Sequence, residues 1–294
     1  MDVFIAQIFN GVSVGSILLL AALGLALTFG QMGVINMAHG EFIMAGAYTA
    51  FVMQKVFSDV SLALWIAIPG AFLIGGMLGL ILEATLLKRM YHRPLDTLLM
   101  TWGVALILQQ LARDIFGAPS VDVKAPSWLQ GALSVGGVNF PKTRGFILCL
   151  AIFAVVALAI MLKYFPLGRR IRATVENRPL AQMAGISTAN TDRLTFFIGS
   201  GIAGIAGVAL TLLGSISPTL GTNYIVDAFL VVVVGGIGQL KGAVIAAFSL
   251  GILQATFEFP TSASIAKILV FVVIVAFLQF RPQGLVSIRT RGLA

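Results

Sequence analysis

Long apolar stretches separated by short polar ones run the length of the chain. They cover about residues 3–29, 33–53, 62–86, 95–116, 145–164, 194–213, 225–238, 242–259 and 264–280. A helix that crosses the ~30 Å hydrocarbon core of a bilayer takes roughly 20 apolar residues. The pattern therefore predicts an all-α polytopic membrane protein, a single transmembrane domain over 1–294 with eight or nine spanning helices. The 225–238 run is short for a span and fits a re-entrant segment. The ten-residue alternation of an outer-membrane barrel does not fit the pattern.

Composition sharpens this picture. Of 294 residues 59% are apolar and only 10% charged, against about 25% charged in soluble domains, so a soluble globular protein is excluded. The 32 glycines suit helices that approach closely, because lipid removes the hydrophobic drive between helices and leaves packing to hold them. The lone Cys149 lies in an apolar run, so the chain makes no internal disulfide and offers no thiolate metal set.

The net charge of +8 is spread over the short segments between apolar runs, which speaks for membrane orientation and against a nucleic-acid partner. Placing 87–93, 163–193 and 281–294 in the cytoplasm puts twelve Lys and Arg there, and Lys241 makes thirteen, against six elsewhere. The positive-inside rule favours that arrangement, with the N-terminus outside and the C-terminus inside. The first Lys or Arg is Lys55, so the first apolar run lacks the cationic head of a cleavable signal and is expected to remain. Residues 117–144, broken by Pro119, Pro126, Pro141 and the Gly136–Gly137 pair, form the longest external connection and a place to meet an external partner.

Candidate chemistry sits at polar residues inside apolar runs. In Gly33 to Tyr48, Asn36, His39 and Glu41 stand among glycines. Ionisable groups at membrane depth cost several kcal/mol unless paired or hydrated, so they mark the protein interior or water. On one straight helix Asn36 and Gly40 share a face while His39 and Glu41 diverge. A helix broken at Gly40 would instead free backbone groups that only protein or a wet cavity can satisfy. This makes Asn36, His39, Gly40 and Glu41 candidates for a pathway or gating element, the alternative being an interfacial turn with wet side chains.

Thr101, Gln109 and Gln110 interrupt the 95–116 run, and Asn223 and Asp227 stand at the outer start of another; these groups can bind a small polar solute or tie helices together. Glu83 and Glu258 lie near span ends, where they are expected to reach water. The glycines before Lys241 lack the Walker spacing and its Ser or Thr, and the two-histidine spacing of a zinc protease is missing, with His92 in a basic loop. No catalytic or metal-binding residue is assigned. A match under a shift of 202 positions, Gly33, Ile35, Gly40 and Ile43 on Gly235, Ile237, Gly242 and Ile245, hints at the duplicated halves of transporters.

The segment 163–193 holds the one extensive polar run, GRRIRATVENRPLAQMAGISTANTDR. Within it Pro179 to Ala184 reads as a short helix with proline in its first turn and Gly185 as its stop.

The strings LGLALTFGQMGVINMAHGEFIMAGAY, ENRPLAQMAGI, IAGIAGVA and VVVVGGIGQLKGAV resemble the permease subunits of ATP-binding-cassette importers for branched-chain amino acids and related solutes, over nearly the whole chain. INMAHGEF, TLLMTWGVALILQQ and LGTNYIVDAFLVVVVGGIG are most similar to the urea-transport members, where the amino-acid members more often carry phenylalanine at the position of Met37. The resemblance implies a bacterial inner-membrane subunit that works with a second permease, two cytoplasmic ATPases and an external solute-binding protein. Such a chain is a transport subunit and not an enzyme; it holds no cofactor, and ATP is used by the partners. It further implies that Glu176 to Ile186 docks on an ATPase, with Glu176, Arg178, Ala181 and Gly185 in coupling positions, and that ATP-driven closure switches access between the two sides. The function expected is a urea path, with branched-chain amino acids as the alternative solute and a self-sufficient channel or secondary transporter as a less favoured reading. An intramembrane enzyme using His39 and Glu41 lacks a nucleophile or metal set.

Overall fold

The computed structural model describes residues 2–91, 93–135 and 138–286. His92, the Gly136–Gly137 pair and the end of the 281–294 segment lie outside the described residues. The chain forms α1 (Asp2–Met32), α2 (His39–Val56), α3 (Val60–Thr85), α4 (Pro94–Phe116), α5 (Lys142–Tyr164), α6 (Pro166–Glu176), α7 (Arg178–Met183), α8 (Thr188–Thr211), α9 (Leu220–Gly235), α10 (Leu240–Glu258) and α11 (Ala263–Phe280). Nine of these coincide with the nine apolar runs. Seven, namely α1, α3, α4, α5, α8, α10 and α11, are long and apolar enough to cross a membrane. The other two differ: α9, with 16 residues, falls short of a ~30 Å core at about 1.5 Å per residue, and α2, with 18, carries His39, Glu41, Gln54 and Lys55.

Helix ends follow local chemistry. The Asp59 carboxylate accepts from the Ser61 N–H at 2.8 Å and opens α3, and the Asn177 side chain does the same for α7 by accepting from Leu180 N–H at 3.0 Å. Each satisfies a donor that the first helical turn leaves free. α4 stops where Gly117 takes a φ of +90°, a conformation that costs other residues a Cβ clash.

α1 and α8 are buried nearly all round and form the centre, whereas α5 and α11 expose most of their surface. Contact at the centre is backbone on backbone. A Cβ on Gly46 would lie 2.0 Å from the Gly204 carbonyl oxygen, and one on Gly79 2.0 Å from Ser200 Oγ. Small residues let helices close to that distance, which is how packing holds helices together in lipid.

Four glycine pairs are reciprocal, Gly30 with Gly238 and Gly235 with Gly242 among them; the other two join helices far apart in the chain. A Cβ on Gly24 would meet the Gly199 oxygen at 1.9 Å and one on Gly199 the Gly24 oxygen at 2.7 Å; Gly40 and Gly221 meet the same way, at 2.5 and 2.3 Å. Such self-complementary contacts are what a two-fold relation produces. The last two pair α1 with α8 and α2 with α9. The 202-position match sets α1–α2 on α9–α10 instead; of its first glycine pair, Gly33 has a positive φ while Gly235 ends α9 and the positive φ falls on the next residue, Gly236.

The 117–144 connection is built. Val121 and Ile216 exchange backbone hydrogen bonds at 2.9 and 2.8 Å, Gln54 bonds both backbone groups of Lys124, and β1 (Ala132–Val135) pairs antiparallel with β2 (Val138–Pro141). α6 and α7 stand at the opposite end of the bundle, between α5 and α8.

Candidate functional site

The break in the first half lies at residues 33–38, between α1 and α2. It is not at Gly40, which sits inside α2 with its Cα against Gly221. The break falls there because Gly33 takes a φ of +65° and ends α1, after which Asn36 folds back. Its side-chain oxygen accepts from the Ala38 N–H at 3.1 Å, so Asn36 shapes the turn, while its amide nitrogen is buried without a protein partner. Thr101 of α4 accepts the Met37 N–H at 3.1 Å while donating to Thr97 O at 2.8 Å. A backbone group freed by the break is thus satisfied from a neighbouring helix, as hydrocarbon surroundings require.

α2 begins with two buried polar side chains that point apart, as a helical periodicity dictates. His39 Nε2 lies 3.0 Å from the Ala21 carbonyl oxygen of α1, which ties α2 to the central helix. Glu41, 2% exposed, turns the other way. Its Oε1 accepts from Gln109 Nε2 of α4 at 2.9 Å, and the same amide nitrogen donates to Thr222 Oγ1 of α9 at 2.8 Å. The close Gly40–Gly221 contact is what brings the starts of α2 and α9 near enough for this three-helix cluster. Glu41 Oε2 and the Tyr48 hydroxyl are buried without a protein partner.

Glu41 lines the end of a cavity of about 280 Å³ between α2 and α4, with Met44, Tyr48, Leu108 and Phe116 along its walls. Tyr48 and Phe116 stack there with ring centroids 4.3 Å apart. Every partner of Glu41 is neutral. An ionised carboxylate held only by an amide is expensive in such surroundings and attracts a solute that brings N–H donors or positive charge.

Gln110 is not part of this cluster; it turns outward and donates to Asp114 at 2.9 Å. Asn223 and Asp227 line a different cavity, with Lys267 paired to Asp227 at 2.9 Å.

A second polar cluster lies where α7 meets the bundle. Asp192, fully buried, accepts from Gln31 Nε2 of α1 at 2.8 Å and forms an ion pair with Arg178. The Arg178 guanidinium sits over the Tyr91 ring, 5.1 Å from its centroid, and the Tyr91 hydroxyl donates to Glu83 at 2.6 Å. Arg193 stands 3.5 Å from the other Glu83 oxygen. Burial, and then the bond to Glu83, raise the Tyr91 hydroxyl above its ordinary range, so it stays a proton donor.

One sequence expectation fails here. Glu83 does not reach water; it is 1% exposed because Tyr91 folds back over it. Of the residues in the expected coupling segment, Arg178 is drawn to Asp192 and Ala181 is buried. Glu176 and Gly185 are exposed, and Gly185 at φ +80° ends α7 as the sequence indicates. The residues that project from α7 are Leu180, 60% exposed, and Met183, 82% exposed. Their signal in the sequence was two large apolar side chains three apart in a polar segment, flanking the inward Ala181.

Comparison with known proteins agrees with this architecture. The family described as "Branched-chain amino acid transport system / permease component" matches residues 7–278. The high-affinity branched-chain amino acid transport system permease protein LivH of Escherichia coli (strain K12) is 32% identical, covering 97% of this chain and 96% of its own. BraD of Pseudomonas aeruginosa is 28% identical over the same shares, and LivM of Salmonella typhimurium is 26% identical over 92% of this chain and 67% of its own. No solved structure matches. None of these relatives is named for urea, so the narrow assignment drawn from Met37 finds no support, and Met37 itself packs against the core instead of lining a cavity. The chain belongs to the branched-chain amino acid transport permease family, multi-pass membrane subunits of transporters.

Proposed function

We propose that this chain forms part of the transmembrane path of an ATP-driven importer of branched-chain amino acids, working with a second permease, two ATPases and an external binding protein. The observation that carries the reading is the cluster of Glu41, Gln109 and Thr222, assembled from two short helices that begin inside the bundle. Transporters of several folds place solute sites at such interrupted helices, near the middle of the membrane. The amino-acid class follows from the names of the LivH and BraD relatives.

The end that carries α6 and α7 is the cytoplasmic one, which agrees with the excess of Lys and Arg there. Leu180 and Met183 form the apolar knob for an ATPase groove, and the Arg178–Asp192 pair ties α7 to α8 so that a push on α7 moves the bundle. Gln31 carries the same displacement to α1. Alternating access needs such a two-state connection between nucleotide and path.

A second reading, urea, keeps one observation of its own. Glu41 faces only neutral partners, so a solute carboxylate would find no cation beside it, whereas urea is uncharged and brings N–H donors for the free Glu41 oxygen and one carbonyl acceptor. Uptake of labelled leucine and labelled urea in cells lacking this gene, with and without a restored copy, decides between them. Restored leucine uptake supports the main reading, and restored urea uptake alone replaces it with the second. Met183→Glu in the restored copy is expected to lower uptake at least about tenfold with insertion intact, since it buries a charge in an apolar contact; unchanged uptake would remove the ATPase role of α7.

A further inference from the structure

The cavity between α9 and α11 has the chemistry of an amino-acid subsite. It holds about 420 Å³ and carries both charges of a buried-depth ion pair, Asp227 and Lys267, with Nζ and Oδ2 2.9 Å apart. Asn223 and Gln254 add amides, and Val226 and Phe271 belong to an otherwise apolar wall. The Lys267 side chain is 52% exposed and that of Asp227 22%, although both stand within helices that run through the membrane-spanning bundle. Lys267 stands one turn from the start of α11, at the edge of the spanning region, where its charge can meet water or polar protein.

The cavity is separate from the one beside Glu41, but α9 contributes to both places. Thr222 bonds Gln109, which bonds Glu41, and Asp227, five residues further on, meets Lys267. The ion pair uses one of three lysine donors and a part of the acceptor capacity of the carboxylate, which leaves both groups able to bind a second dipolar partner.

We propose that Asp227 and Lys267 are the two poles of a transient subsite for a zwitterionic aliphatic amino acid: Asp227 takes its ammonium, Lys267 its carboxylate, and the wall around Val226 and Phe271 its side chain. This rests on the amino-acid reading of the path.

The test is leucine and urea uptake by the complete importer in cells, wild type against the neutral isosteric pair Asp227→Asn with Lys267→Gln, with membrane levels measured in each. The doubly substituted importer keeps a polar contact between α9 and α11 but presents no poles. Leucine uptake at low concentration is expected to fall at least about tenfold at equal protein level, the scale of losing a charged hydrogen bond to the solute. Unchanged leucine uptake in that variant, with wild type active on leucine, overturns the subsite and leaves the amino-acid reading standing. Wild type importing urea and no leucine overturns both. If the neutral pair does not accumulate, the reversed pair Asp227→Lys with Lys267→Asp, which restores the ion pair, decides: full leucine uptake makes the pair a structural tie, and a loss at normal protein level upholds the subsite.

Discussion

The Glu41 cluster and the Asp192 cluster both bury a carboxylate among three helices, and they satisfy it by different means. Asp192 is met by a guanidinium and an amide, with the arginine stacked on Tyr91 and a second ion pair, Arg193 with Glu83, beside it. Glu41 has an amide on one oxygen and nothing on the other. Pairing of both Asp192 oxygens, to Gln31 and to Arg178, fixes a geometry and makes this carboxylate a joint between α7, α8 and α1. Partial pairing leaves an acceptor for something that arrives and departs. In the proposed function, solute handling falls to the Glu41 end and mechanical connection to the Asp192 end.

The largest test of this contrast is to break the joint. Asp192→Ala strands Arg178 and the Gln31 amide; removing one partner of a buried pair costs about 3–5 kcal/mol, and the partial exposure of Arg178 puts the expectation at the lower end. A fall in the thermal unfolding midpoint of the purified protein measures it. Adding Arg178→Ala is expected to recover part of the loss, and strict additivity of the two would contradict a coupled pair.

Packing comes next. Gly46→Leu drives a side chain into the Gly204 backbone and is expected to cost roughly 1–3 kcal/mol by overpacking. Gly103 has open space where a Cβ would stand, so Gly103→Ala on α4 should leave the midpoint nearly unchanged, and equal effects would mean the glycine seam is not what holds the centre.

Glu41→Gln keeps an oxygen for Gln109 and removes the charge. Uptake is expected to fall about tenfold, some 1.4 kcal/mol, with the unfolding midpoint unmoved; a midpoint shift without loss of uptake would make Glu41 structural. The smallest effect is Gly185→Ala, where the positive φ costs about 1 kcal/mol and is confined to the end of α7.

Much of this was legible from residues alone. Nine apolar runs mark nine helices because lipid leaves no other way to satisfy the backbone, and Pro179 with Gly185 bound α7 by their own dihedral preferences. Glu41 and His39 stood out because ionisable side chains at membrane depth need a partner. Their partners were hidden, since Gln109 and Thr222 reach Glu41 from helices far along the chain through the Gly40–Gly221 contact. The break was misplaced for a related reason. Gly40 reads as a breaker in isolation, yet it is there to admit α9, and Gly33 ends the helix. Arg178 reads as an exposed coupling charge until Asp192, fourteen residues later, turns it inward. Substrate was the least legible property: the urea expectation leaned on Met37, which packs against the core, and no relative is named for urea.

One measurement tests the division of labour most directly. In a Cys149→Ser background, single cysteines replace Thr222 beside Glu41 and Thr188 at the start of α8, and labelling by a membrane-impermeant thiol reagent is followed in the assembled importer. The account predicts that Thr222→Cys reacts and that leucine delivered by the binding protein slows the reaction, while labelling at Thr188→Cys is indifferent to solute. An unreactive or unprotected cysteine at 222, in an importer that still takes up leucine, would contradict the placement of the solute path at the Glu41 cluster.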